Sequence, residues 1–131
     1  MIRILSVALL VLAGCAAHPV VITDRQPAVD ADLDLVVNVR IEPGQHERQH
    51  EVFVGIGKHG DNPAQRYFHA AYTYLVEGKL DWRITWQSQD RVELELLADR
   101  QRLTVMTFVR DPDSGLFGEL STEGPWRREA V

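Results

Sequence analysis

Apolar and polar residues alternate along most of the chain. Leu33, Leu35, Val37, Val39 and Ile41 share one face, and Asp34, Val36, Asn38 and Arg40 lie on the other. A period of two sustained over this length predicts a strand. Glu42-Pro43-Gly44 ends it, and the polar residues 45–51 read as a hairpin connection. Val52, Val54 and Ile56 then alternate with Phe53, Gly55 and Gly57, giving a second strand weakened by its glycines. Beyond Gly78 the period is again two. Leu80, Trp82, Ile84 and Trp86 form one run, Val92, Leu94 and Leu96 a second. Leu103, Val105, Thr107 and Val109 form a third, with Met106 and Phe108 on its other face. Short turns at 88–90 and 99–101 make these three an antiparallel meander. After the loop 111–115, residues 116–120 form a last short strand.

The segment between the two groups of strands reads differently. Asn62 is a good N-cap, Pro63 suits a first helical position, and Gln65 follows the cap by three. Ala64, Tyr67, Phe68, Ala71, Tyr72 and Leu75 recur at helical spacing, and Gly78 stands where a terminal glycine belongs. The competing reading is a strand, because Tyr, Phe, Thr and Val favour strands. Agreement of start, stripe and stop favours the helix. The expected fold is therefore α+β, an antiparallel sheet of five or six strands with one helix packed on one face. Without that helix the chain becomes a small all-β sandwich or barrel.

The first residues set the compartment. Arg3 precedes an apolar run over residues 4–13, broken only by Ser6. That run is shorter than the roughly 20 residues a helix needs to cross a bilayer, and it has the form of a secretory leader. Leu12-Ala13-Gly14-Cys15 resembles the lipobox of bacterial lipoproteins. The resemblance implies a diacylglycerol thioether on Cys15, cleavage before it, and a partner in the membrane through the acylated N-terminus. Several acyl chains, at about 0.8 kcal/mol per buried methylene, hold far more firmly than one. Ala16, in place of the aspartate that retains enterobacterial lipoproteins in the inner membrane, implies the outer membrane, facing the periplasm. The division expected is a signal peptide at 1–14, a tether at 15–32, a globular domain at 33–120 and a tail at 121–131. A short first strand at Val20-Val21-Ile22 is the alternative to an extended tether there.

Composition narrows the function. Cys15 is the single cysteine, so no intrachain disulfide staples the domain. The formal charge is −5, and Arg127-Arg128 is too short to form a basic patch along the sequence. An acidic chain with no basic run argues against nucleic acid and against a polybasic grip on lipid.

Several motifs resemble chemistry. His46-Glu47-Arg48-Gln49-His50 fits H-E-x-x-H, but that zinc chemistry needs a helix to bring both histidines to one metal. In extended chain they stand about 13 Å apart, so a solvated hairpin loop is the plainer reading. Gly55-Ile56-Gly57-Lys58-His59-Gly60 fits G-x-G-x-x-G. A helix opening in that run would bury Pro63 inside itself, which disfavours a dinucleotide site; the glycines better serve a turn or bulge. Asp111-Pro112-Asp113-Ser114-Gly115 lacks the glycine and glutamate positions of a calcium loop. His59, Asp61 and His69 are candidates for a divalent metal. Trp82 and Trp86, on one strand face, read as core. The leading expectation is a lipid-anchored, non-enzymatic domain that binds or scaffolds an envelope protein, with no cofactor. A metal- or small-ligand-binding module at residues 57–61 is the second reading, and a zinc hydrolase through His46, Glu47 and His50 the third.

Overall fold

A computed structural model describes residues 18–44, 47–99 and 101–123. The lipobox with Cys15, together with His46 and Arg127-Arg128, lies outside the described residues. The described chain is all-β: β1 (Val20–Pro27), β2 (Leu33–Ile41), β3 (Glu47–Lys58), β4 (Phe68–Glu77), β5 (Leu80–Ser88), β6 (Arg91–Ala98), β7 (Gln101–Arg110) and β8 (Phe117–Glu123). They form two four-stranded antiparallel sheets, ordered β1-β2-β3-β4 and β5-β6-β7-β8. The α+β expectation is thus overturned. The cover on the first sheet is a second sheet, and the architecture is a sandwich.

The predicted helix is strand β4. Its pairing explains why. Glu47 to Ile56 of β3 is matched residue for residue by Glu77 to Phe68. A helix there would leave the long β3 as an unpaired edge, with its N–H and C=O groups unmatched. The helical stripe also omits Tyr74 and Val76, whereas the strand buries both beside Tyr72. Leu75, placed on the helical stripe, instead points outward and is exposed. Aromatic and β-branched side chains on a pleated surface outweigh a favourable cap and stop. Gly78 does adopt a positive φ of 89°, at the corner between the sheets rather than at a helix end.

Both inner faces meet in one core. Leu35, Val37 and Val39 of β2, Val52 and Ile56 of β3, Leu94 and Leu96 of β6, and Met106 and Phe108 of β7 are fully buried. β7 reverses the face expected of it. The β6–β7 register slips between Leu96 and Leu97, leaving Leu103 as an extra residue. Such a bulge shifts the alternation by one, so Met106 and Phe108 face the core. The sheets are laced along both edges. Trp82 Nε1 donates to Asp24 Oδ2 and Trp86 Nε1 to the Gln26 carbonyl, each at 2.9 Å. On the other side the Tyr72 hydroxyl donates to Glu119 at 2.6 Å. Both tryptophans are half-buried against the core.

The stretch expected to be tether contains β1, paired with β2 from Val20↔Ile41 to Pro27↔Asp34. The first-strand alternative is the one adopted, and it extends well beyond Val20-Val21-Ile22. The expected hairpin loop is also corrected. Glu47, Arg48, Gln49 and His50 belong to β3, and His50 is fully buried.

Candidate functional site

The connection from β3 to β4 folds back over the outer face of the first sheet. Two glycines permit it. A Cβ on Gly55 would lie 1.9 Å from the Ala64 carbonyl oxygen, and one on Gly57 would lie 2.8 Å from the Ala64 Cα. The expected role of these glycines, relief of a turn or bulge, gives way to close approach of backbone on backbone. The loop is anchored by Tyr67 N–H on the Ile56 carbonyl and by His59 N–H on the Asp32 carbonyl.

Beneath the loop lies Asp34, an outward-facing residue of β2 that is nonetheless fully buried. Its carboxylate accepts from Arg25 at 2.5 Å and from the Gly60 N–H at 3.0 Å, and it meets His59 Nδ1 at 2.8 Å. Arg25 also donates to the Asp61 carbonyl at 2.7 Å. One buried carboxylate therefore ties β1, β2 and the loop together. Burial alone would raise the Asp34 pKa, but the Gly60 N–H, His59 and Arg25 together outweigh it and hold the group below its ordinary value of 3.8. The hydrogen bond and charge of Asp34 raise His59 above its ordinary 6.5. An aspartate orienting a histidine is half of a general-base pair. Through His59 and the Gly60 N–H, the Asp34 carboxylate latches the loop to the sheet.

Between this loop and the sheet runs a groove of about 640 Å³. Strand register builds its floor. Thr23, Asn38, Phe53 and Ala71 stand side by side across the four strands, and Arg25, Val36, Gly55 and His69 form the next row. Asn62, Pro63, Ala64 and Gln65 make the facing wall. Phe53 and Pro63 offer apolar surface, while Asn38, Thr23, Gln65 and His69 offer donors and acceptors. Its size falls in the range of small-molecule sites, about 300–1,000 Å³.

The residues singled out from sequence are scattered. His59 is engaged by Asp34, and His69 lines the groove. Among the described residues no group of three or more His, Cys, Asp or Glu is placed to hold a metal ion. In the H-E-x-x-H motif, Glu47 and His50 are three apart on a strand and so face opposite sides of the sheet. Glu47 is exposed, whereas His50 sits in the core with Nδ1 2.9 Å from the Arg48 carbonyl oxygen. Burial depresses the His50 pKa, so the ring is neutral, and its buried Nε2 has no hydrogen-bond partner among the described residues. A glutamate and a histidine on opposite faces cannot share one zinc-bound water.

Sequence reading missed Arg25, Asp34, Asn38 and Phe53 as parts of a site. The paired glycines in β3 were the one local signal that another piece of backbone comes close. Comparison with protein-family models, with curated proteins and with solved structures returns no match.

Proposed function

We propose that the protein is an acylated envelope lipoprotein whose β-sandwich binds a ligand or partner protein, without catalysis, through the groove on the outer face of its first sheet. The groove carries this reading. It combines an aromatic residue on its floor, polar groups along its length and a loop fixed by a buried carboxylate, and such preorganisation lowers the entropic cost of binding. The lipobox supports the anchor. Because β1 begins at Val20, a chain joined to lipid at Cys15 has only a few residues of tether. At about 3.5 Å per residue, that holds the start of β1 within about 20 Å of the membrane. The resemblance to lipoproteins supports the periplasmic face of the outer membrane as the location.

Photo-cross-linking in cells tests the binding reading. A photoreactive residue at His69, inside the groove, should give a discrete adduct, and one at Gln87, on the second sheet, should not. Thr23→Trp fills the groove from an exposed position and should abolish the adduct. Equal labelling from both positions, unaffected by Thr23→Trp, would refute the assignment.

A further inference from the structure

We propose a second site, an anion site for a phosphate group, in the cleft at the end of the sandwich where β1 turns into β2. Lys58, Arg66 and Arg110 are far apart in the sequence, yet all three line this cleft of about 350 Å³. Lys58 ends β3, Arg66 lies in the loop before β4, and Arg110 ends β7. The fold thus gathers three cations on a chain whose net charge is −5. Asp32 supplies acidic character on the wall, and its oxygen is a loose 3.9 Å from Lys58. Among the described residues neither Arg66 nor Arg110 has a carboxylate partner.

Arg110 is held in place without being neutralised. Its guanidinium lies 5.2 Å from the centre of the Tyr67 ring and 5.7 Å from that of Phe117. Its Nε donates to the Gly115 carbonyl at 3.0 Å, which leaves the terminal amino groups for a ligand. Aromatic faces fix an arginine without cancelling its charge. Two guanidinium groups with an ammonium suit a compact oxyanion of high charge, and this favours phosphate over a single carboxylate. The Gln89 amide on the same wall adds a neutral donor.

The cleft also has a direction. The chain enters β1 at Val20, beside Ile41, and the cleft lies beyond the other end of that strand, where Pro27 pairs with Asp34. Eight residues of strand put the two ends about 25 Å apart. If the N-terminus is anchored as proposed above, the cleft faces away from the anchoring membrane. The phosphate could be carried by a soluble molecule or by a lipid headgroup, and the test separates these.

The full chain in neutral detergent is titrated with inorganic phosphate at constant ionic strength, and backbone amide shifts are followed by NMR. The amides of Arg66 and Gln89 should move saturably while that of His69, in the outer groove, stays still. Arg66→Gln, at an exposed position, should weaken binding by about tenfold, as loss of one charge-assisted contact implies. Asp32→Asn should tighten it. If phosphatidylglycerol added to the micelles moves the same amides and inorganic phosphate does not, the group is a lipid headgroup and the phosphate chemistry stands. No shift with either probe, or equal shifts with acetate, would overturn the proposal. The titration does not depend on the lipid anchor or on the outer groove, so its failure leaves both readings intact.

Discussion

Replacing Asp34 with asparagine tests whether a single buried carboxylate holds the loop that forms the groove. The substitution keeps the shape and removes the charge. Asp34 is fully buried, while the Arg25 and His59 side chains are 32% and 59% exposed. Breaking a fully buried pair costs about 3–5 kcal/mol, largely because the surviving charge is stranded. Here both surviving cations still reach water, and the asparagine oxygen can still accept from Gly60 N–H. The expected loss is therefore smaller, about 2 kcal/mol at pH 5–6. The sign of the pH dependence follows from the two shifts. Asp34 is depressed, so its contribution is present above its ordinary 3.8 and is lost as pH falls through its folded value. His59 is raised, so its contribution is present below its ordinary 6.5 and is lost as pH rises through its folded value. The gap between wild type and Asp34→Asn should thus be widest between about pH 4 and 6.5 and narrow on both sides. Urea melts at half-unit pH steps measure it. A gap below about 0.5 kcal/mol, or one that does not vary with pH, would refute the latch.

Three further outcomes are expected. His50→Leu removes a buried ring nitrogen that has no partner among the described residues and should raise stability by about 1 kcal/mol in urea melts; a loss above 1 kcal/mol would show that the imidazole is needed. Because the His50 pKa is depressed, its neutral burial favours folding above its ordinary 6.5 and weakens it as pH falls from there, so the leucine variant should show a shallower acid-side decline. Gly55→Ala drives a methyl group into the Ala64 carbonyl and should cost about 1–3 kcal/mol while displacing the loop, seen as faster amide exchange at Gly60 and Ala64; unchanged exchange there would contradict the packing described.

The strands were legible where one face is buried and the other wet. β2, β5 and β6 carry that alternation openly, and the antiparallel meander of β5 to β7 follows from it. β4 was misread because its aromatics happen to satisfy a helical stripe as well. What decides between the two is the need of β3 for a partner, which no local window contains. The face of β7 was hidden by a bulge at Leu103, since one inserted residue inverts every later position. The site was harder still. Asp34 looks like any polar residue on a solvent face, and Arg25 like a charge on a tether. They become a pair with a buried carboxylate only because a loop from elsewhere in the chain covers Asp34. The three cations of the phosphate cleft, at positions 58, 66 and 110, likewise form no run that a search for basic stretches would notice.

In the function proposed above, compartment, orientation and access to any partner all rest on acylation at Cys15. Metabolic labelling with a radioactive fatty acid, followed by membrane fractionation, tests it most directly. Wild-type protein should carry label and sediment with the outer membrane, whereas Cys15→Ser should carry none and be missing from that fraction. Undiminished label in the Cys15→Ser protein, or an unlabelled wild type, would contradict the account.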